Sequence, residues 1–180
     1  MKPSSYALGI GTLLLTALAS SGCSPNEAKQ DFTVPASLCG VSVPSAALSR
    51  LLPADGTQVS VQQDGTWDKD SPLCNVTVDK RLVLVVSTEW VRAGDSARSV
   101  LGKRLAVWQQ KSADGGAVVY SDRGAASVVK CQDAGVKKFD VGTFIKVLEP
   151  GRRDEQAMGQ LIRGYTRSVT PQRLCRPTSG

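Results

Sequence analysis

The sequence predicts an α+β domain: an antiparallel sheet covered by an N-terminal and a C-terminal helix and tied by two disulfides. Three observations predict it. Short runs rich in β-branched residues are separated by brief turn signals, the pattern of antiparallel strands joined end to end. An amphipathic helical pattern stands before the first run and another after the last. Five cysteines occur in the 180 residues, and the four beyond residue 30 flank helices and strands.

The elements follow in order. Pro44 to Leu52 places Ala47, Leu48, Leu51 and Leu52 on one stripe behind a first-turn proline, a short helix stopped by Pro53 and Gly56. Thr57 to Gln63 alternates Val59 and Val61 with polar residues, and Asp64-Gly65 is a turn signal. Leu73–Val78 and Leu82–Val91 read as a hairpin across Asp79-Lys80-Arg81. Between Ala93 and Gln110 the pattern is mixed. Asp95 or Ser96 would cap a helix over Ala97 to Trp108, but Gly102 interrupts it. Strand patterns return at Ala117–Tyr120, Ala125–Cys131 and Val141–Leu148. The clearest helix comes last: Asp154 and Glu155 suit its N-terminus, and Ala157, Met158, Leu161, Ile162, Tyr165 and Val169 form its apolar stripe up to Pro171.

The N-terminus has a different character. Lys2 precedes the uncharged, mostly apolar run Tyr6–Ala19. As a helix that run would rise only ~21 Å, short of the ~30 Å hydrocarbon core. A charged start, a short apolar run and small residues is the layout of an export signal. A buried helix fits less well, because Gly9 and Gly11 weaken it and "SSGCSP" ends it abruptly. Two cleavage sites compete. Ala17-Leu18-Ala19 has the A-x-A form that would release a soluble protein after Ala19. "LASSGC" resembles a bacterial lipobox, in which cleavage falls in front of the cysteine and its thiol carries a diacylglyceryl group. Ser21 and Gly22 match that pattern, whereas Ser20 stands where leucine is usual. Parity favours lipidation, because removing Cys23 leaves an even set: Cys39, Cys74, Cys131 and Cys175. The expected organisation is a signal peptide over 1–22, a lipidated cysteine with a flexible tether over 23–36, and one extracytoplasmic domain over 37–180. The bland alternative for the tether is an arm packed on the domain through Phe32 and Val34.

Four cysteines allow three connectivities. Sequential pairing, Cys39 with Cys74 and Cys131 with Cys175, is the favoured one, since it would staple each end helix to the sheet. A zinc site is disfavoured: the gaps are long, no C-x-x-C is present, and the chain has no histidine.

That absence of histidine also removes the commonest general base and any Ser-His or Cys-His dyad. No nucleotide-binding or nucleophile-elbow motif appears. The expectation is a non-enzyme without cofactor. Glu89, beside Trp90, is the one candidate for carboxylate chemistry in an envelope hydrolase. Asp64, Asp68 and Asp70 in "DGTWDKD" lack the spacing of a calcium loop and read as a solvated hairpin loop. Asn75-Val76-Thr77 has the form of a glycosylation sequon inside a strand and reads as chance. The net charge of +6 is moderate and mostly scattered, which argues against a nucleic-acid partner. Six arginines lie between Gly151 and Gly180, and Arg163 and Arg167, four apart, share the polar face of the last helix. They are the candidate anion-binding pair, for lipid headgroups or an anionic wall polymer. The plainer and favoured reading of that face is solvation with local ion pairs.

"SLCG" before a helix ending "LLP", a strand carrying "CNVTVD", and a late cysteine followed by a strand, a helix and "LC" resemble the small cell-surface lipoproteins of high-GC Gram-positive actinobacteria. The resemblance runs over most of the chain after Leu38. It implies an anchored extracytoplasmic α+β domain, of the PsbP-like sandwich kind. It implies lipidation at Cys23 and disulfides among the other four cysteines, and it supplies no catalytic residues. The expected partners are the membrane, through Cys23, and an envelope protein or anionic wall polymer.

Overall fold

Strand β3 (Val59–Asp64), β4 (Leu73–Val78) and β5 (Arg81–Arg92) form one antiparallel run in a computed structural model that describes residues 30–65, 73–132, 135–169 and Cys175. Before them come two short paired strands, β1 (Ser37–Leu38) and β2 (Val41–Ser42), and helix α1 (Ser45–Leu51). Helix α2 (Ala97–Leu105) then leads to a second run: β6 (Lys111–Ala113), β7 (Val118–Tyr120), β8 (Gly124–Val129) and β9 (Phe139–Val147). Helix α3 (Glu155–Ser168) closes the body. The two runs join where β5 pairs with β9, from Leu84 opposite Val147 to Arg92 opposite Phe139. The result is an α+β fold with a seven-stranded antiparallel sheet in the order β3-β4-β5-β9-β8-β7-β6.

The register sorts the core. Val118, Ala125 and Ile145 are buried in one cluster with Leu48 and Leu51 of α1 and Met158, Leu161 and Ile162 of α3. Their chain neighbours Val119, Ala126 and Phe144 are buried in another cluster with Val100 and Leu101 of α2. Adjacent strand residues point to opposite faces. The two clusters therefore lie on opposite sides of the sheet, and the middle helix covers a face that α1 and α3 do not.

Local chemistry sets the helix ends. Pro44, with φ −66°, precedes α1. The Ser96 hydroxyl accepts the Ser99 N–H at 3.2 Å, so of the two candidate caps for α2 it is the serine that serves. Gly102 lies inside α2, which stops at Leu105, three residues short of Trp108; Ala106, at φ +52°, turns the chain out of the helix. Arg152 closes α1 from the other side, its guanidinium donating to the carbonyls of Ser49 at 2.6 Å and Leu52 at 2.7 Å.

The four cysteines pair sequentially, Cys39–Cys74 and Cys131–Cys175. The first ties the turn between β1 and β2 to β4; the second ties the end of β8 to the chain beyond α3. They span 35 and 44 residues, and the chain-entropy model assigns ~4 kcal/mol to loops of that length.

Two boundaries differ from the sequence reading. Lys111–Ala113, outside every strand the sequence suggests, is an edge strand paired with β7; its polar residues carry no apolar alternation. The packed body also begins before residue 37. Gln30 donates to the carbonyls of Ser49 and Pro53, both at 2.8 Å, and Phe32 and Val34 pack on the main cluster. From Gln30 on, the packed-arm reading describes this segment. The signal segment, Ala19, Cys23, Asp68, Asp70 and Pro171 lie outside the described residues. Among the described residues, no helix is long and apolar enough to cross a membrane.

Candidate functional site

The structure gathers a site that the sequence did not announce. At the end of the sheet where β7 turns into β8 and β9 leads into α3, three segments line one open cavity of about 610 Å³. The first is the chain leaving α2, with Val107 buried and Trp108 turned outward. The second is the turn Ser121–Arg123. The third brings Arg153 and Glu155 from the entry to α3. A neighbouring cavity of about 280 Å³ shares Val107, Arg123 and Arg153 as lining residues and adds Lys146 and Glu149.

Trp108 is 76 % exposed, the most exposed large apolar side chain among the described residues. Leaving an indole in water forfeits its burial, yet this one is seated. Its six-membered ring lies against Gly102, where a Cβ would stand 2.9 Å from it, so a side chain at that position would push the indole from its seat. The loop beneath is pinned as well. The Gln110 amide donates to the Val107 and Arg98 carbonyls. The Arg98 guanidinium returns to the Gln110 carbonyl at 3.5 Å and to the Ser112 hydroxyl at 3.2 Å. Ala106 holds a left-handed conformation at the head of this loop, which costs a residue with a Cβ ~1 kcal/mol or more.

The opposite wall is equally fixed. Ser121 N–H donates to the Gly124 carbonyl at 2.8 Å, and its hydroxyl accepts the Gly124 and Arg123 N–H groups. Asp154 caps α3 and its N–H donates to the Asp122 carbonyl at 2.9 Å. Glu155 is ion-paired with Lys111 at 2.5 Å, an interaction that holds the lysine's ammonium above its ordinary value. In the larger cavity Arg123 and Arg153 are balanced by Asp122 and Glu155. The smaller has Arg123, Lys146 and Arg153 against Glu149 alone, an excess of positive charge.

The residues named from the sequence lie elsewhere. Glu89 is ion-paired with Arg104 of α2 at 2.9 Å, not with a second carboxylate. Trp90 packs edge-on to Phe139, ring centres 6.5 Å apart, beside the Cys131–Cys175 bridge. Asp64 accepts the Asn75 side-chain amide at 2.5 Å. Arg163 and Arg167 sit on α3 as expected, but they are not alike: Arg163 is half-buried, its Nε donating to the Gly159 carbonyl at 3.0 Å, while Arg167 is exposed in the last turn. Among the described residues, neither forms an ion pair, and no cluster of three metal-ligating side chains occurs. Trp108, Arg123, Lys146 and Arg153 escaped the sequence reading because four separate segments bring them together. The one local signal was a tryptophan beside Gln109 and Gln110, behind a helix broken by glycine. Comparison with family models, with curated proteins and with solved structures finds no match to this chain.

Proposed function

We propose that this chain is a lipid-anchored extracytoplasmic domain that binds a ligand or partner at the bacterial cell envelope and catalyses no reaction. The observation that carries the binding half is Trp108: an exposed indole resting against Gly102 and lining a cavity of about 610 Å³ walled by charged side chains. That volume lies within the range of small-ligand sites. The non-catalytic half rests on a sequence without histidine and on the Glu89–Arg104 pair, which occupies the one carboxylate offered for hydrolysis.

The anchor is Cys23, with the membrane as the first partner and an envelope protein or anionic wall polymer as the second. Six residues separate Cys23 from the docked Gln30, a reach of at most ~25 Å. Asp31 N–H donates to the Gly56 carbonyl, and Gly56 sits against Val78 at the β4–β5 turn. By the register this is the same end of the sheet as the Ser121–Arg123 turn, which supports a cavity near the anchored end of the domain. The narrower fold assignment, a PsbP-like sandwich of the sheet with α1 and α3, is part of the same proposal. The cluster shared by those two helices supports it, and an experimental structure superposed on a PsbP domain tests it.

Mass spectrometry of the membrane fraction tests the anchor. The expected mature N-terminus is Cys23 with added diacylglyceryl mass. An unmodified N-terminus at Ser20 would replace this reading with that of a secreted soluble protein.

A further inference from the structure

We propose that the Trp108 cavity binds a sugar ring that carries an anionic group, a phosphate or a carboxylate. This rests on the binding function above and names its ligand class.

The two neighbouring cavities differ in charge, and the difference selects the ligand. A bare anion needs no aromatic platform, and a neutral sugar needs no cationic annex. The larger cavity is lined by the exposed Trp108 together with Arg123, Arg153, Asp122 and Glu155. An exposed indole face is apolar and rigid, and suits the C–H face of a pyranose, which loses little by leaving water there. Mixed donors and acceptors around it suit hydroxyl groups, each of which both donates and accepts. Asp122 and Glu155 would repel a free polyanion from this part of the cleft, but they accept well from sugar hydroxyls. The smaller cavity, reached past Arg123 and Arg153, has three cationic groups against one carboxylate. Guanidinium groups match the oxygens of phosphate or carboxylate in paired hydrogen bonds. The ring therefore stacks on Trp108, and its anionic group points toward Arg123, Arg153 and Lys146.

The seat of Trp108 supplies a separate handle. A Cβ at Gly102 would stand 2.9 Å from the indole. The indole is an exposed side-chain end and can move aside, while alanine is a better helix former than glycine by ~1 kcal/mol. Gly102→Ala therefore keeps or raises stability while it displaces the platform.

Isothermal titration calorimetry on the whole chain isolated from the envelope tests the assignment, with glucose 6-phosphate, glucuronate, glucose and inorganic phosphate as probes. Glucose 6-phosphate or glucuronate is expected to bind about ten-fold or more tighter than glucose and than phosphate. Trp108→Ala and Arg153→Gln should each weaken that binding about ten-fold or more. Gly102→Ala should weaken it with an unchanged or higher melting temperature. If inorganic phosphate binds as well as the sugar phosphate, if neither charged sugar binds, or if Trp108→Ala and Gly102→Ala both leave affinity unchanged, the assignment is wrong. Phosphatidylinositol vesicles, compared with phosphatidylglycerol vesicles and probed with a Cys23→Ala chain that carries no lipid of its own, separate the sources. Capture by the first alone places the ring and phosphate on a lipid headgroup. Binding of the free sugar without capture places them on a soluble or polymeric saccharide. The mass at Cys23 of the calorimetry sample keeps the two proposals apart: lipid without sugar binding removes only the ligand, and sugar binding without lipid removes only the anchor.

Discussion

Arg50 and Asp154 fasten the end of α1 to the start of α3. The guanidinium meets one carboxylate oxygen at 2.6 and 2.8 Å, while the other oxygen accepts the Ala157 N–H at 2.9 Å. One carboxylate thus caps a helix and holds a partner from 104 residues away. The two roles separate by mutation. Asp154→Asn keeps a capping oxygen and loses the charge; it should cost at most about 1 kcal/mol, as for a partly exposed ion pair. Asp154→Ala loses both and should cost about 1–2 kcal/mol. Urea unfolding of both variants checks this. Equal losses would mean that the cap contributes nothing.

The same carboxylate makes stability depend on acid. Burial works against its ionisation, but the Ala157 N–H and the Arg50 hydrogen bond and charge outweigh burial and hold it below the ordinary aspartate value. Asp79 is held low too, chiefly by the N–H groups of Thr57 and Gln58. A carboxyl that is lower in the folded state stabilises the fold fully above its unfolded value, about 3.9. That contribution disappears as pH falls through the lower, folded value. The stability gap between wild type and Asp154→Asn should therefore be flat from about pH 6 to 8 and close below about pH 4. A gap that persists at the lowest pH at which the chain folds would assign it to packing instead.

Two glycines let α3 approach its neighbours. A Cβ at Gly164 would stand 2.4 Å from the Pro44 ring, and one at Gly159 would stand 2.7 Å from the Tyr120 ring. Alanine would gain ~1 kcal/mol of helix propensity at either site. Against Pro44 the overlap is with a rigid ring that leads into α1, and overpacking costs about 1–3 kcal/mol. Gly164→Ala should therefore be neutral to destabilising by up to about 2 kcal/mol, a cost that its propensity alone would reverse. A raised thermal midpoint would show that α1 yields without loss.

The sheet was legible because its strands carry their own signals. Leu73–Val78 and Arg81–Arg92 alternate or run apolar, and the chain reverses at Asp79 and Lys80, both at positive φ. The long helix was legible because its stripe and cap are local. Edge strand β6 was not, since its lysine and serine face water and its partner β7 alone defines it. The true extent of α2 was hidden for a related reason. Gly102 looks like a helix breaker in sequence, and only the indole resting on it explains why glycine is there. The cleft is the extreme case. Arg123 and Lys146 sit in a turn and a strand where solvated lysines and arginines are ordinary, and only the closing of the sheet puts them around one space.

Disulfide chemistry separates the two halves of the molecule. Cys39–Cys74 anchors the β1–β2 turn that precedes α1, and Cys131–Cys175 holds the chain beyond α3 to the end of β8. Removing either pair by double serine substitution should lower unfolding free energy by about 4 kcal/mol. The loss should lie in the same range for both, because closure entropy changes slowly with loop length. Chemical denaturation of each double variant measures it. A loss near zero for one pair would mean that its loop is already constrained in the unfolded chain.

The basic face of α3 gives the last prediction, and its two arginines should not contribute equally. From the sequence, Arg163 and Arg167 are the candidate pair for an anionic surface, set against the favoured reading of a solvated face. Arg163 has its Nε committed to the Gly159 carbonyl, which leaves only the far end of its guanidinium for an outside anion, whereas Arg167 is exposed at the helix C-terminus. In a Cys23→Ala chain, which has no lipid of its own, a single reversal, Arg167→Glu, should weaken binding to anionic liposomes or wall polymer more than Arg163→Glu, and the double reversal should abolish it. Wild-type binding should itself weaken steeply between about 0.05 and 0.5 M salt, since these exposed charges act through a screened field. Arg167→Glu also places a negative charge at the negative end of a helix dipole and should cost up to about 1 kcal/mol of stability. Arg167→Gln, which removes the charge without reversing it, separates that cost from binding. Liposome and polymer binding that is unchanged in the double variant would remove this face from the contact surface and leave the Trp108 cleft as the site to pursue.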